Sequence, residues 1–177
     1  MRYAQIRNLD ISNGDGLGIA LFVQGCHFHC KDCFNQETWD FNGGEKWTHE
    51  TFQQFIELAN KPHIKRISIL GGEPLADENV NDVLALIISL KANYPEKKIW
   101  VYTGYLYEDI YTVVATSFHD RLRKEVLNYI DILCDGKFET DNADPLNKEK
   151  KWVGSTNQRV IDMHDTRIFH RICNYNR

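Results

Sequence analysis

Four apolar runs, each followed closely by a glycine, constrain the fold of this chain more than any other feature. The runs are rich in branched and aromatic residues and have the length of strands rather than of helices, which is typical of strands buried inside a sheet. They occupy residues 19–23, 66–70, 99–103 and 129–134. We therefore predict four buried strands whose carboxyl ends lead into glycine-containing loops.

Segments with helical spacing separate these runs. Helices are predicted for residues 51–60, 80–93 and 121–128,. Alternating strands and helices produce right-handed crossovers and a parallel sheet, with the working loops along one edge at the carboxyl ends of the strands. A full eight-fold barrel needs about 250 residues. The 177 residues of this chain therefore favour an α/β fold with a partial, laterally open parallel β/α barrel or an open sheet.

The length and composition of the chain favour one domain covering residues 1–177. The chain is 42% hydrophobic and 26% charged, which is ordinary for a globular protein, and its net charge of -4 gives no indication of nucleic-acid binding,. The sequence becomes polar after Phe138, so residues 139–151 are predicted to be an exposed loop. From about residue 164 we expect an irregular C-terminal tail.

The beginning of the chain lacks the apolar core of a signal peptide. No apolar run approaches the roughly 20 residues needed to span a bilayer. We therefore expect a cytoplasmic protein without a membrane partner. Because cytosolic thiols are kept reduced, closely spaced cysteines there indicate metal binding or catalysis rather than structural disulfides.

Three of the five cysteines, Cys26, Cys30 and Cys33, fall within eight residues. Structural zinc usually has four Cys or His ligands presented as two separated pairs, and the second pair is missing here. His27 and His29 lie too near the cysteines to close a tetrahedron readily. Three thiolates on one tight loop suit three irons of a cubane, whose fourth iron stays open to an exogenous ligand. The spacing favours an iron–sulfur site and leaves zinc as the alternative.

The two remaining cysteines are weaker candidates for ligands. Cys134 ends a predicted buried strand, where a free cysteine usually acts as a small apolar side chain. Cys173 lies in the predicted tail. A fourth thiolate from either residue would close the cluster and make it an electron-transfer centre, so this alternative stays open.

Two motifs resemble those of the radical S-adenosylmethionine superfamily. The spacing Cys26-x3-Cys30-x2-Cys33 matches the first motif, and the segment Gly-Gly-Glu-Pro at residues 71–74 matches the second. Between residues 3 and 162 the chain also resembles, within that superfamily, the activating proteins of anaerobic (class III) ribonucleotide reductases. This second resemblance rests on residues 10–16, 21–26, 33–40, 100–105, 135–138 and 154–159. One departure is Asp32, which stands where the superfamily often has an aromatic residue.

The resemblance implies a mechanism and its partners. Cys26, Cys30 and Cys33 would hold a 4Fe-4S cluster whose open iron binds the cosubstrate S-adenosyl-L-methionine. An electron from reduced flavodoxin or a similar donor would cleave the cosubstrate into methionine and a 5'-deoxyadenosyl radical. That radical would take a hydrogen atom from a glycine of the large subunit of anaerobic ribonucleoside-triphosphate reductase. No side chain is expected to act as an acid or base.

The same resemblance implies contacts with the cosubstrate. Gly71 and Gly72 would offer backbone groups to the methionine moiety, since a glycine allows close backbone approach. Glu73 would either support the ammonium group of the ligand or face solvent. Asp32 and Phe34, which flank the third cysteine, would approach the adenosyl portion through backbone and ring contacts.

Further residues and alternatives complete the interpretation. Thr103, Asp135 and Lys137 lie at later strand ends and are additional site candidates, whereas residues 116–124 have no assigned role. A second hypothesis keeps the cofactor and changes the substrate, as in a deazaguanine synthase-like enzyme or an activator of a different glycyl-radical enzyme. A third is a zinc-stabilised binding module without catalysis.

Overall fold

An open, mixed sheet of seven strands forms the centre of the structure, a computed structural model that describes residues 1–144, 146, 148 and 151–176. The strands are β1 (Arg2–Asp10), β2 (Gly18–Val23), β3 (Glu45–Lys46), β4 (Arg66–Gly71), β5 (Lys98–Tyr102), β6 (Ile132–Asp135) and β7 (Arg159–Asp162). Their order in space is β3-β1-β2-β4-β5-β6-β7. The four central strands β2, β4, β5 and β6 run parallel, whereas β1, β3 and β7 pair antiparallel with their neighbours. The sheet is mixed and not closed, which corrects the prediction of a wholly parallel sheet.

The antiparallel strands escaped prediction because they lie at or near the edges of the sheet. Residues 5 and 7–9 of β1 are exposed, so this strand has no continuous apolar run. Strand β7 covers most of a short apolar patch in the sequence, but the patch has no neighbouring helical segment to indicate a crossover. A strand with one buried side gives a weaker sequence signal than a strand buried on both faces.

Five helices lie in the described part of the chain: α1 (His49–Ala59), α2 (Val80–Asn93), α3 (Tyr107–Tyr111), α4 (Phe118–Tyr129) and α5 (Met163–Phe169). Helix α2 has the predicted bounds, while α1 and α4 begin a few residues earlier than predicted. The hydroxyl of Thr48 caps α1, and Ser117 with Asp120 forms a capping box at the start of α4,. Residues 116–124 therefore include the cap and first turns of a helix. None of the helices in the described residues combines the length and apolar character that crossing a membrane requires.

Alternate residues of the central strands pack into two apolar layers. Ile19, Leu21 and the equivalent residues of β4 and β5 face helices α1, α2 and α4,. On the other face, Trp100 contacts the rings of Trp152 and Tyr175, each with ring centroids 5.3 Å from its own. Burying one large apolar side chain stabilises the fold by about 1.5–3 kcal/mol. The parallel strands are therefore packed on both faces.

The C-terminal region is more regular than the sequence predicts. Helix α5 occupies residues 164–169 of the segment that was expected to be irregular, so the prediction is wrong for that part; residues 170–176 form no further helix or strand. The side chain of Asp162 accepts a hydrogen bond from the backbone N–H of Asp165 and caps the helix. After the helix, Asn174 forms a β-bridge with Ile161. The missed signal is the capping residue at the end of β7.

Part of the predicted exposed loop at residues 139–151 is also structured. Residues 140–142 form a 3-10 turn, and Ala143 forms a β-bridge with Ser155. Residues 145, 147, 149 and 150 lie outside the described residues, so the prediction is not tested there.

A buried ion pair fixes the connection between β1 and β2. Arg66 donates to the carboxylate of Asp10 at 2.8 Å and to the carbonyl oxygens of Asn13 at 2.7 Å and Gly16 at 3.2 Å. Burial acts to raise the pKa of Asp10, but the hydrogen bonds from Arg66 and Asn13 hold it below its usual value. This arrangement fixes the backbone at Asn13, a residue of the cavity wall described below.

Candidate iron–sulfur active site

A cavity of about 350 Å³ opens at the carboxyl ends of the parallel strands. Its wall includes parts of the loops that follow β2, β4, β5 and β6, which is the edge where the sequence predicts catalysis. These parts come from residues 26–39, 71–73, 103–104 and 136–138. The cavity thus brings together most of the residues that the sequence singles out.

The loop after β2, residues 24–39 and called the cysteine loop here, is closed by backbone hydrogen bonds. The N–H of Gly25 donates to the carbonyl of Thr38 at 2.7 Å, and the N–H of Cys26 donates to the carbonyl of Trp39 at 3.1 Å. Both ends of the loop therefore meet, and the three cysteines lie on a compact turn between them.

All three cysteines of this loop line the cavity and are half-buried free thiols. A tight turn joins the second to the third, since the N–H of Cys33 donates to the carbonyl of Cys30 at 3.1 Å. Asp32, inside this turn, has a left-handed backbone with φ of 56°. The N–H of Asn35 donates to the sulfur of Cys33 at 3.4 Å.

The environment of the thiols is unfavourable for isolated thiolates. Burial raises the pKa of Cys26 and the pKa of Cys30. Backbone hydrogen bonds from Phe28 to Cys26 and from Phe138 to Cys30 oppose this shift without cancelling it. A bound metal reverses the balance, because coordination deprotonates a thiol outright. The thiols are therefore suited to lose their protons when a metal binds rather than in the metal-free protein.

The donor set fits a cluster better than a single ion. In the described ranges, no three His, Cys, Asp or Glu side chains converge as ligands of one metal ion would. A cubane takes one thiolate on each iron, so its thiolates need not converge on one atom. Three soft thiolates on one loop at a cavity wall could hold three irons of a cluster and would leave the fourth without a protein thiolate.

The end of β4 at Gly71 and the following residues 72–73 pack directly on the cysteine loop. The N–H of Glu73 donates to the carbonyl of Gly25 at 2.7 Å. A Cβ atom on Gly72 would lie 2.9 Å from the carbonyl carbon of Gly25 and closer still to its oxygen. Gly71 has φ of 105°, a conformation that favours glycine,. The glycines thus permit contact between two protein backbones, and their contact with methionine stays a prediction.

Glu73 joins the ends of β4 and β5 at the cavity wall. Its carboxylate accepts hydrogen bonds from the hydroxyl of Thr103 at 2.7 Å, the N–H of Gly104 at 2.8 Å and the N–H of Leu75 at 2.8 Å. The residue is 2% exposed, so the alternative that it faces solvent is wrong. Burial raises the pKa of Glu73 to about 7 despite these hydrogen bonds. A cation bound beside it would favour the charged carboxylate.

The two residues that flank Cys33 are placed differently. Phe34 lines the cavity, is 62% exposed and lies with its ring centroid 5.0 Å from that of Phe138. Asp32 is exposed, and its carboxylate accepts a hydrogen bond from the hydroxyl of Thr140 at 3.1 Å. The structure therefore brings the ring of Phe34 to the cavity and ties the side chain of Asp32 to a neighbouring segment.

Two of the three later strand-end candidates reach the cavity. Thr103 and Lys137 line it, and the ammonium group of Lys137 lies 4.8 Å from the ring centroid of Phe28. Asp135 is fully buried and forms an ion pair with Arg159. Hydrogen bonds that the Arg159 guanidinium donates to the carboxylates of Glu108 and Asp135 raise its pKa. Asp135 is thus committed to the scaffold.

The remaining histidines and cysteines near the motifs lie elsewhere in the described structure. His27 pairs with the carboxylate of Glu78 at 3.1 Å, and His29 packs on a tryptophan ring of its own loop. Cys134 is buried on β6, and Cys173 lies after α5. None of these four side chains belongs to the described cavity wall.

Sequence reasoning missed several residues of the cavity wall, among them Arg7, Trp39, Tyr102 and Gln158. The guanidinium of Arg7 lies 4.4 Å from the ring centroid of Phe22. Among the described residues, the buried indole N–H of Trp39 has no hydrogen-bond partner, so it remains available to a ligand. Trp39 and Gln158 lie inside segments noted for their resemblance, which was the available signal. Arg7 lies on an exposed strand and had none.

Comparisons with known proteins define first the class and then the family of this chain. A family model described as "4Fe-4S single cluster domain" matches residues 12–161, which defines the class of protein. An anaerobic ribonucleoside-triphosphate reductase-activating protein of Enterobacteria phage T4 is 36% identical over 160 residues, covering 90% of this chain and 93% of the relative. The proteins of that name from Salmonella typhi and Escherichia coli K12 are 40% and 39% identical over 162 residues, covering 90% of this chain and 97% of each relative. The chain belongs to the family of anaerobic ribonucleoside-triphosphate reductase-activating proteins.

Proposed function

We propose that this protein activates an anaerobic ribonucleoside-triphosphate reductase by forming a glycyl radical in its large subunit. The observation that carries the proposal is the convergence of three cysteines with the loops after β4, β5 and β6 on one open cavity. The similarity to reductase-activating proteins supports the choice of partner.

Cys26, Cys30 and Cys33 would hold three irons of a 4Fe-4S cluster. When bound, the cluster supplies one electron for reductive cleavage of S-adenosyl-L-methionine, and the 5'-deoxyadenosyl radical so released takes a hydrogen atom from the reductase glycine. The backbone N–H of Asn35 at Cys33 and the backbone hydrogen bond to Cys30 help to set the reduction potential, which depends on hydrogen bonds to sulfur and on exposure,.

Other residues of the wall would hold and shield the cosubstrate. The ammonium group of Lys137 and the free indole N–H of Trp39 suit a carboxylate, and the buried carboxylate of Glu73 suits an ammonium group,. Phe28 and Phe34 place aromatic rings at the wall and reduce access of water. Gly71 and Gly72 would present backbone groups to the methionine moiety, and the backbone at Asp32 would pass near the adenosyl portion.

The open side of the cavity suits a polypeptide substrate. A glycine within a protein loop must reach the cavity from outside, which a sealed pocket would prevent. We interpret the open sheet as a partial barrel of the radical S-adenosylmethionine type and the whole chain as one domain. Reduced flavodoxin or a similar donor in the cytoplasm would supply the electron.

The test is anaerobic reconstitution followed by electron paramagnetic resonance. The reduced protein, S-adenosyl-L-methionine and a class III reductase should together give a glycyl-radical signal that requires all three. Cys30→Ala should abolish cluster binding and cosubstrate cleavage. Cys173→Ala is the matched control, because that thiol lies outside the described cavity wall, and it should behave as the wild type.

Two outcomes would contradict the proposal. Absence of the radical signal with a fully loaded cluster would exclude the reductase as substrate. Metal analysis that finds one zinc and neither iron nor acid-labile sulfide after anaerobic purification would instead support the binding-module hypothesis.

A further inference from the structure

A segment that follows β6, residues 136–144 and called the strap here, lies against the cysteine loop. The hydroxyl of Thr140 lies 2.9 Å from the carbonyl oxygen of Lys31 and 3.1 Å from the carboxylate of Asp32, and donates a hydrogen bond shared between them. The rings of Phe138 and Phe34 pack together nearby. The strap therefore grips one short part of the cysteine loop through side chains.

The gripped part is the two-residue turn between the second and third cysteines. Its second residue, Asp32, has φ of 56°. A non-glycine residue adopts this left-handed conformation at a cost of about 1 kcal/mol or more, so the turn needs support from its surroundings. Thr140 bonds to the peptide of Lys31 and to the side chain of Asp32, and so supports the turn at both of its residues.

The strap is itself anchored to the segment around residues 154–158. The side-chain amide of Gln158 donates to the carbonyl of Gly136 at 2.9 Å, and the N–H of Glu139 donates to the hydroxyl of Ser155 at 3.2 Å. Ala143 adds a β-bridge to Ser155. The strap is thus a fixed support rather than a free loop.

The strap also lies beside one of the sulfurs. Phe138 and Cys30 both line the cavity, and the backbone of Phe138 acts to lower the pKa of the Cys30 thiol. The polar surroundings of the sulfurs are one of the means by which a protein sets the potential of an iron–sulfur cluster. Displacement of the turn would alter the surroundings of Cys30 as well as the spacing of the two thiols.

We propose that Thr140 is a positioning residue of the cluster site. Its hydroxyl holds the turn at Lys31 and Asp32 against the strap, so that Cys30 and Cys33 keep the spacing that the cluster requires. Asp32 contributes as a hydrogen-bond partner of Thr140, at a position where the superfamily often has an aromatic residue. The inference rests on the proposed function only in taking the three cysteines as the cluster ligands.

The experiment compares Thr140→Val, which replaces the hydroxyl by a methyl group, with Thr140→Ser, which keeps it. Thr112→Val is the matched control, because the hydroxyl of Thr112 donates to the carbonyl of Glu108 at 2.7 Å on α3. Iron release to a chelator and the midpoint potential of the cluster, followed by electron paramagnetic resonance, are measured on reconstituted protein without cosubstrate or reductase.

Thr140→Val should release iron about fivefold faster, the factor expected for the loss of one net hydrogen bond. Its midpoint potential should differ from that of the wild type, because displacement of the turn changes the surroundings of the Cys30 sulfur. Thr140→Ser and Thr112→Val should match the wild type in both measurements.

The proposal is overturned if Thr140→Val keeps the wild-type rate and potential, or if Thr140→Ser shows the same defect as Thr140→Val. Should Thr140→Val fail to fold, Thr140→Ala provides the second test. Alanine removes the hydroxyl without adding a branched side chain, so faster iron release than in Thr140→Ser supports the proposal and a wild-type rate overturns it. If the wild-type protein binds no iron, that result would instead contradict both the cluster assignment and the proposed function.

Discussion

The cysteine loop is held in different ways on its two sides. On the β4 side, Gly72 meets Gly25 backbone to backbone, and the N–H of Glu73 completes the contact. On the strap side, the contacts run through side chains, chiefly the hydroxyl of Thr140 and the ring of Phe34. The difference teaches that the first cysteine is fixed by the fold itself, whereas the second and third are held by replaceable groups.

The largest change in stability is expected on the β4 side, at Glu73. Burial raises the pKa of this carboxyl from 4.5 to about 7, so the folded protein binds its proton more tightly than the unfolded chain does. The stabilising contribution is complete below the unfolded value and is lost as the pH rises through about 7. Between about pH 5 and pH 8 the free energy of unfolding of the metal-free wild type should fall by about 2.5 kcal/mol relative to Glu73→Gln. Urea unfolding at a series of pH values measures this, and parallel curves for the two proteins would refute it.

The next effect tests the backbone contact directly. Gly72→Ala introduces a Cβ atom into the carbonyl group of Gly25, where no side chain can move aside, and should destabilise the protein by about 2 kcal/mol and weaken iron binding,. Gly16→Ala is the control, because its Cβ meets nothing closer than 4.0 Å and only its positive φ is strained. A smaller loss of stability for Gly72→Ala than for Gly16→Ala in thermal or urea unfolding would contradict the proposed importance of the backbone contact between Gly72 and Gly25.

The corresponding change on the strap side should be milder. A Cβ atom on Gly154 would lie 2.8 Å from the ring of Phe34, which is exposed and free to shift. Gly154→Ala should therefore cost less than about 1 kcal/mol in the free energy of unfolding. A cost equal to that of Gly72→Ala would show that the two sides are equally rigid.

The smallest effect on stability is expected for Phe34→Ala. Because the ring is 62% exposed, its removal should change the free energy of unfolding by about 0.5 kcal/mol or less,. Removing the ring opens the cavity wall, so the loaded cluster should decay faster in air, as followed by its visible absorbance. Unchanged decay would show that Phe34 does not shield the site.

The sequence predicted the regular centre of the fold well, and the physical reason is burial. Helix α2 has a full apolar face, and its bounds were predicted correctly; the four central strands were found because burial on both faces gives continuous apolar runs. Strand β1, next to the short edge strand β3, and helix α5 were missed, since exposure of β1 and a single capping residue at α5 leave little pattern.

The residues of the candidate site were likewise predicted only in part. Cysteine spacing and the segment at residues 71–73 identified the loops that meet at the cavity, because those residue types carry the chemistry themselves. Arg7 and Trp39 reach the cavity only through the pairing of β1 and the closure of the cysteine loop, which no local pattern encodes. The link between Asp32 and Thr140 spans 108 residues of sequence and was likewise invisible.

The attachment of the strap has a consequence for protein engineering. Residues 136–144 and 154–158 are joined by hydrogen bonds of Gln158 and Ser155. In a chimaera of two homologues, these two segments should therefore be exchanged together. Residues 25–26 and 71–73 meet backbone to backbone and should likewise be kept from one parent.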